Sequence, residues 1–238
     1  AVMRFDQSDR LHFMEFMFYW PETTERWESE GLAVGADPVT TFGHDPFEWL
    51  PVDFNFVPAF DVEVIEGVDV TEDGSVGELA KALGDRTVDV LVNCAGILSD
   101  ESLSDLDFDR MRRQFEVNSL GPLRVTAALR GNLGTGSKVA IITSRMGSIA
   151  DNDSGGRYGY RASKAALNAF GKSLAMDLKP RGIAVAQLHP GYVQTRMVNF
   201  GGLITSEESA KGLAERIDGL TLENTGSFWH SNGEALPW

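Results

Sequence analysis

The chain has 238 residues, of which 42% are hydrophobic, and this is enough apolar side chain to build a core and to exclude wholesale disorder. Lys and Arg number 21 against 35 Asp and Glu, so the net charge at pH 7 is −14. An acidic surface repels phosphate backbones and anionic headgroups, so neither a nucleic acid nor a membrane is expected as a partner.

The cysteine and hydropathy patterns predict a cytoplasmic protein. Cys94 is the single cysteine, which excludes an intramolecular disulfide and a cysteine-based zinc site. No apolar run approaches the roughly 18 residues of a membrane span, and the start of the sequence lacks the basic residues of a secretory signal. The four histidines are scattered without metal-ligand spacing, so no metal site is expected.

The first 61 residues differ in composition from the rest. They contain three Arg and no Lys against twelve Asp and Glu, a net charge of −9, and they hold thirteen of the 23 aromatic residues. Their apolar stretches predict strands over residues 11–19 and 54–60, and Pro21 at the first position of the segment 21–30 is typical of a short helix. We expect this opening segment to pack on the sheet of the domain that follows, residues 62–238. A single domain with an unusual first quarter is the alternative.

From residue 62 onward, β-branched or apolar runs alternate with helical patterns. The predicted strands cover residues 62–70, 88–93, 138–143 and 183–188, with a final edge strand within 227–238. The predicted helices cover residues 75–83, 106–133 with a kink near Gly121-Pro122, 159–178 and 206–220. Such alternation is typical of a parallel sheet that is covered by helices on both faces. The predicted fold class is therefore α/β, a Rossmann-like doubly wound parallel sheet with an atypical first quarter.

Tyr160 and Lys164 form the strongest chemical signal in the sequence. They lie four positions apart on a predicted helix, so both side chains point to the same face. A nearby ammonium group stabilises a phenolate, and it is expected to lower the pKa of Tyr160 from about 10 toward neutrality. Tyr160 can then act as general acid or base on a carbonyl/alcohol pair. Taken alone, the motif also fits an ordinary exposed helix pair.

Other polar or small residues follow the predicted buried strands, where ligands of open α/β sheets bind. Ser144 comes directly after the third strand and can donate a hydrogen bond to a substrate carbonyl. The segment 93–96 follows the second strand, and the segment 190–195 follows the fourth. Asn118 lies close to the predicted kink of the long helix, where an inward-facing amide can hold a water molecule.

Together these motifs resemble the short-chain dehydrogenases/reductases. Asn118, Ser144 (with Gly147, as S-x-x-G), Tyr160 and Lys164 are similar in order and spacing to the catalytic tetrad of that family. Asn93-Cys94-Ala95-Gly96 resembles its N-N-A-G segment, Asp69-Val70-Thr71 its D-V-T adenine contact, and Pro190-Gly191 through Thr195 its P-G-x-x-x-T turn beside the nicotinamide. The agreement covers residues 62–238. Within the family, the sequence looks most like the C-factor/sniffer type of carbonyl reductase.

The resemblance implies hydride transfer between NADP or NAD and a small carbonyl or alcohol substrate. It implies that Tyr160 donates the proton, that Lys164 lowers the pKa of Tyr160 and holds the nicotinamide ribose, that Ser144 orients the substrate oxygen, and that Asn118 positions a water molecule. It also implies cofactor contacts by Asp69, Val70, Asn93, Ala95, Gly96, Tyr160, Lys164, Pro190, Gly191, Val193 and Thr195. Members of the family often pair through their two long helices, so a homo-oligomer is expected.

The glycine-rich phosphate loop of that family, T-G-x-x-x-G-x-G, is not found. The nearest match, Gly31 to Gly35, is followed by Asp37 where the third glycine should stand. Residues 1–61 instead resemble the start of uroporphyrinogen-decarboxylase-like proteins, so the chain looks like a hybrid. That segment is about a quarter of the ~250 residues that such a barrel needs, which argues against decarboxylase activity.

The missing loop leaves two functions open. Cofactor binding is expected to be weak or absent, and the alternative to the reductase is a non-catalytic or cofactor-free interaction protein on the same scaffold. The residues that distinguish NAD from NADP normally follow the second strand of this fold, inside the replaced segment, so the sequence does not separate the two cofactors.

Overall fold

One sheet organises the structure, a computed structural model that describes residues 65–238 with their side chains and, before them, the backbone of three strands. The strands are β1 (Val2–Arg4), β2 (Arg10–Glu15), β3 (Asp61–Glu63), β4 (Thr87–Val88), β5 (Val90–Asn93), β6 (Lys138–Ile142), β7 (Ala184–His189) and β8 (Ser227–His230). Their order is β3-β1-β2-β5-β6-β7-β8, with β4 beside β2. Strands β2, β5, β6, β7 and β8 run parallel, whereas β1 is antiparallel to both of its neighbours.

Helices cover both faces of this sheet. They are α1 (Asp73–Leu83), α2 (Phe108–Phe115), α3 (Gly121–Ala128), α4 (Tyr158–Leu178) and α5 (Ser206–Asp218). A π-helical turn, Glu116–Leu120, joins α2 to α3. Because successive side chains of a strand point to opposite faces, Leu91 packs in the core cluster that includes α1, α3 and α4, whereas Val92 packs in the cluster that includes α5.

The predicted fold class is confirmed, since buried parallel strands alternate with helices as expected. The predicted kink of the long helix is the π-helical turn, which ends where Gly121-Pro122 begins α3. Among the described residues, the structure has no helix that is both long and apolar enough to cross a membrane. The predicted helix 21–30, the predicted strand 54–60 and the Gly31 to Gly35 match lie outside the described residues.

The predicted strand over residues 62–70 is wrong in most of its length. Strand β3 ends at Glu63, and the chain from Ile65 to Asp69 belongs to no strand. Gly67 has a φ of +70°, which breaks the extended backbone. The Asp69 carboxylate then accepts hydrogen bonds from both the backbone N–H and the hydroxyl of Thr71 at 2.8 and 2.7 Å, a local turn that competes with strand pairing.

Candidate active site

The carboxyl ends of β5, β6 and β7 bring the sequence motifs to one edge of the sheet. The pairing aligns Asn93 with Ile141, and Ile142 with Leu188, so the segments that follow these strands begin side by side. Ser144 and the segments 93–96 and 190–195 all leave the sheet here. Ligands of open parallel sheets bind at this edge.

Ser144 is held in place by the turn that it begins. Its side chain is buried, and its Oγ accepts a hydrogen bond from the Met146 backbone N–H at 3.2 Å. Three residues later the turn touches α4, where a Cβ added at Gly147 would lie 2.7 Å from the carbonyl carbon of Lys164. Glycine at 147 therefore lets the serine turn lie directly against the helix that carries Tyr160 and Lys164.

Tyr160 lies in the first turn of α4 with 9% of its surface exposed, and its hydroxyl lies beside the Ser144 side chain. Burial raises the pKa of Tyr160 above its ordinary value of 10, and this outweighs the lowering by the Ser144 side chain and by the positive charge of Arg157. The prediction of a lowered pKa is therefore wrong. The sequence pattern shows the neighbouring cation but not the loss of solvent.

Lys164 is 4% exposed and lies one turn further along α4. Its Nζ donates a hydrogen bond to the Ile142 carbonyl oxygen at 3.0 Å and lies 5.9 Å from the centre of the Tyr160 ring. Burial lowers the pKa of Lys164 to about 8, and a smaller opposite effect comes from Cys94. The pair thus shares one buried face of the helix, as the sequence spacing predicts.

Asn118 lies in the π-helical turn and is fully buried. Its Oδ1 accepts a hydrogen bond from the Ile97 backbone N–H at 2.7 Å, and its Nδ2 donates to the Ile97 carbonyl at 2.8 Å and to Ser163 Oγ at 3.0 Å. The amide therefore connects the loop after β5 to α4. Both N–H groups of the Asn118 side chain are occupied by these two hydrogen bonds. A water molecule bound to the Asn118 side chain would therefore have to donate its hydrogen bond to Oδ1.

The small residues after β5 keep space open beside Lys164. A Cβ added at Gly96 would lie 3.4 Å from both Lys164 Nζ and Asn118 Oδ1. Ala95 is buried at the same strand end. Asn93 differs from the others, because its Nδ2 donates to Thr126 Oγ1 at 3.1 Å and so supports the sheet against α3.

The remaining predicted contacts lie on either side of this centre. Asp69 is exposed in its turn, whereas Val70 is buried and packs against Gly121. On the other side, Gly191 has a φ of +93°, and the Pro190 carbonyl accepts a hydrogen bond from Ser209 Oγ at 2.7 Å. Two further residues complete this turn: Val193, which pairs with Ile204, and Thr195, whose carbonyl accepts from the Phe200 N–H.

The residues after β5 and on α4 fit a nicotinamide and its ribose. A buried lysine ammonium, a tyrosine hydroxyl and a glycine-lined backbone converge where a ring and a diol could approach closely.

Sequence reasoning missed several polar residues around this centre. Glu101 and Gln114 are buried beside the start of α4. Glu101 lies in the run Asp-Glu-Ser-Leu-Ser-Asp, which is typical of an exposed loop and carries no signal of burial. His189 and His230 stack edge to face with ring centres 4.8 Å apart, and burial lowers the pKa of His189 to about 3, so this ring is neutral.

A serine, a tyrosine and a lysine gathered at the carboxyl edge of a doubly wound parallel sheet define an α/β oxidoreductase. The model of the short chain dehydrogenase family matches residues 61–201, and the chain belongs to this family. The family assignment confirms the expected oxidoreductase over the non-catalytic alternative. The likeness of the first 61 residues to a decarboxylase stays a prediction.

Two curated relatives are 46% identical to the chain. One is a 1-hydroxy-2-glutathionyl-2-methyl-3-butene dehydrogenase from Rhodococcus sp. (strain AD45), aligned over 183 residues that cover 74% of this chain and 81% of the relative. The other is the C-signal protein of Myxococcus xanthus, aligned over 154 residues that cover 63% and 93%. Both alignments exceed the span of the family model.

Solved carbonyl reductases share the fold. The NADPH-bound carbonyl reductase from chicken fatty liver superimposes with a TM-score of 0.67 at 27% identity, covering 74% of this chain and 77% of that structure. The carbonyl reductase Sniffer of D. melanogaster gives a TM-score of 0.66 at 28% identity, with coverages of 74% and 77%.

Proposed function

We propose that the chain reduces a carbonyl compound to an alcohol at the edge formed by β5, β6 and β7, with NADPH as the cofactor. The observation that carries the proposal is the buried Tyr160 hydroxyl, which lies beside the Ser144 side chain and on the same helix face as the buried Lys164, whose ammonium group is 5.9 Å from the tyrosine ring. The choice of NADPH is supported by the NADPH in the avian carbonyl reductase and the NADP in a Burkholderia multivorans relative of known structure.

In this proposal each polar residue has one task. A bound nicotinamide supplies the hydride. Tyr160 gives its hydroxyl proton to the carbonyl oxygen, while the Ser144 hydroxyl donates a hydrogen bond to the same oxygen. The positive charge of Lys164 stabilises the phenolate that remains. Asn118 positions the loop after β5 against α4 through Ile97 and Ser163.

The raised pKa of Tyr160 favours the reductive direction. A phenol with a pKa above 10 is protonated at neutral pH, so it is ready to donate its proton. Alcohol oxidation needs the phenolate and should therefore be faster at alkaline pH. The protonation state fits a reductase better than a dehydrogenase at neutral pH.

The surroundings of the site favour a substrate with an apolar body. Loops at this edge expose large apolar side chains, among them Ile149, Phe200 at 63% and Leu203 at 82%. The guanidinium groups of Arg145 and Arg157 are already held in ion pairs with nearby carboxylates. They therefore give little support to an anionic conjugate such as the one in the name of the Rhodococcus relative.

Pairing of two subunits through the long helices is the remaining part of the proposal. Phe108 and Phe115 lie seven positions apart on α2 and are both exposed, so they form an apolar stripe on one face. A symmetric contact between two such faces would cover them. A sedimentation mass near that of the 26.0 kDa monomer at micromolar concentration would contradict this.

The proposed reductase function can be tested by removing the hydroxyl group of Tyr160. Tyr160→Phe should lower kcat for reduction of an aromatic ketone by about 10²- to 10⁴-fold, measured as loss of NADPH absorbance, because it removes the proton donor. Tyr158→Phe is the matched control, since Tyr158 lies on the same helix with its side chain partly exposed. Full turnover in Tyr160→Phe would refute the assignment.

A further inference from the structure

The start of α4 is held by a buried carboxylate that the proposed chemistry does not use. Glu101 is 4% exposed, and its Oε1 accepts hydrogen bonds from Ser99 Oγ and from Gln114 Nε2, the latter at 2.8 Å. Its Oε2 accepts from the backbone N–H of Gly159 at 3.1 Å. Three neutral donors on three different segments therefore converge on one side chain.

Glu101 supplies the cap that α4 lacks locally. The residue before the helix, Arg157, has a left-handed backbone with a φ of +50° and makes no side-chain capping bond. Its N–H is instead accepted by the Glu101 carbonyl at 2.7 Å. The first N–H groups of a helix have no partner within the helix. Here Glu101 accepts hydrogen bonds from two of these N–H groups, that of Arg157 with its backbone carbonyl and that of Gly159 with its side chain.

Gln114 fixes the carboxylate in turn. It is fully buried on α2, and its Oε1 accepts from the Ser99 N–H at 3.0 Å. A Cβ added at Gly159 would lie 2.9 Å from Met111 Cγ, so α2 and α4 touch at this point. The loop 97–101, α2 and the first turn of α4 are therefore locked together by one amide–carboxylate pair.

Two such connections hold the helical turn that carries the reacting residues, one directly before each of them. Glu101 holds α4 at Gly159, directly before Tyr160, and Asn118 holds it at Ser163, directly before Lys164. Both connections start from the loop that continues the cofactor-side segment 93–96. The contacts at Gly159 and Ser163 together fix the distance between the segment 93–96 and the Tyr160 hydroxyl.

We propose that Glu101 is a positioning residue for the reaction, which holds Tyr160 at a fixed distance from the cofactor-side loop through Gln114 and Gly159. The expected fall in kcat depends on the proposed reductase function, whereas the expected effect on the position of Tyr160 does not. Displacement of a reacting group by an ångström can cost about 100-fold in rate. Loss of the connection should therefore lower kcat more than it raises KM.

The experiment compares Glu101→Gln with the swap Glu101→Gln/Gln114→Glu. In the single variant two amides face each other and one buried N–H group lacks an acceptor. In the swap the carboxylate at position 114 can accept from Ser99 N–H and from the amide at 101, whose oxygen accepts from Gly159. Glu78→Gln, an exposed change on α1, is the control. All variants are labelled with 3-fluorotyrosine, and the Tyr160 resonance among the four tyrosines is assigned with Tyr160→Phe.

We expect Glu101→Gln to move or broaden the Tyr160 fluorine resonance while the Tyr192 resonance stays in place, and to lower kcat about 10-fold or more with KM within about twofold. The swap should restore both readouts toward wild type. An unchanged Tyr160 resonance, an unchanged kcat, or a swap no better than the single variant would overturn the proposal. If the wild type itself turns over no ketone, the proposed function fails, and the fluorine spectra alone decide the role of Glu101.

Discussion

Replacing Lys164 by methionine should make the protein more stable at neutral pH while abolishing its activity. Lys164 is 4% exposed, and burial lowers the pKa of its ammonium group from 10.5 to about 8. That difference corresponds to about 3 kcal/mol of stability lost at pH 7, because one pKa unit is worth about 1.4 kcal/mol. Methionine removes this cost and fills most of the same space. The Ile142 carbonyl then loses its donor, which offsets about 1 kcal/mol of the gain.

The sign of the pH dependence separates this explanation from simple repacking. The folded pKa of Lys164 lies below the unfolded one, so the unfolded chain binds more protons between about pH 8 and 10.5. The free energy of unfolding of the wild type therefore rises with pH across this window, relative to that of Lys164→Met. From pH 7 to pH 10 the free energy of unfolding of the wild type should rise by about 2 kcal/mol relative to that of the variant.

The assay is urea unfolding of both proteins at pH 7, 8, 9 and 10, followed by intrinsic tryptophan fluorescence. Other titrating groups are common to both proteins and largely cancel in the difference. We expect a stability advantage of about 2 kcal/mol for Lys164→Met at pH 7, shrinking as the pH rises. A variant that is less stable at pH 7, or a difference that does not change with pH, would refute the reasoning about burial of the charge.

Two further predictions address the packing of the site and its ligand. Gly147→Ala should destabilise the fold by about 1–3 kcal/mol, because its Cβ would lie 2.7 Å from the Lys164 backbone. Gly77→Ala on α1, where a Cβ meets open space, should instead raise the free energy of unfolding by about 0.5–1 kcal/mol. NADPH at a hundred times its Kd should raise the free energy of unfolding by about 2.7 kcal/mol, measured by thermal unfolding, and NADH at the same concentration should raise it less. No shift with either at millimolar concentration would mean that the missing glycine loop abolishes cofactor binding.

The centre of the site could be predicted from sequence because its geometry is local. Residues four positions apart lie on the same face of any α-helix, so the spacing of Tyr160 and Lys164 is enough to bring their side chains together. Ser144 follows an apolar run whose burial is evident from composition alone. The connection through Glu101 could not be predicted, since it joins segments 58 positions apart at Gly159. The pKa of Tyr160 was missed for a related reason, because it depends on how completely the surrounding loops exclude water.

Strand β2 is the reason to expect that the first 61 residues are indispensable for folding. It lies within the sheet, pairing with β5 at Met14–Leu91 and Glu15–Val92, and with β4 at Leu11–Val88. A fragment of residues 62–238 would expose the hydrogen-bonding edge of β5, a strand whose Leu91 is fully buried in the intact protein. An open apolar edge of this kind pairs readily with other chains. We therefore expect the fragment to be insoluble, whereas the full chain unfolds cooperatively. A soluble 62–238 fragment with a single cooperative unfolding transition would show that the opening segment contributes nothing essential to the core, and that the domain boundary near residue 61 is a true folding boundary.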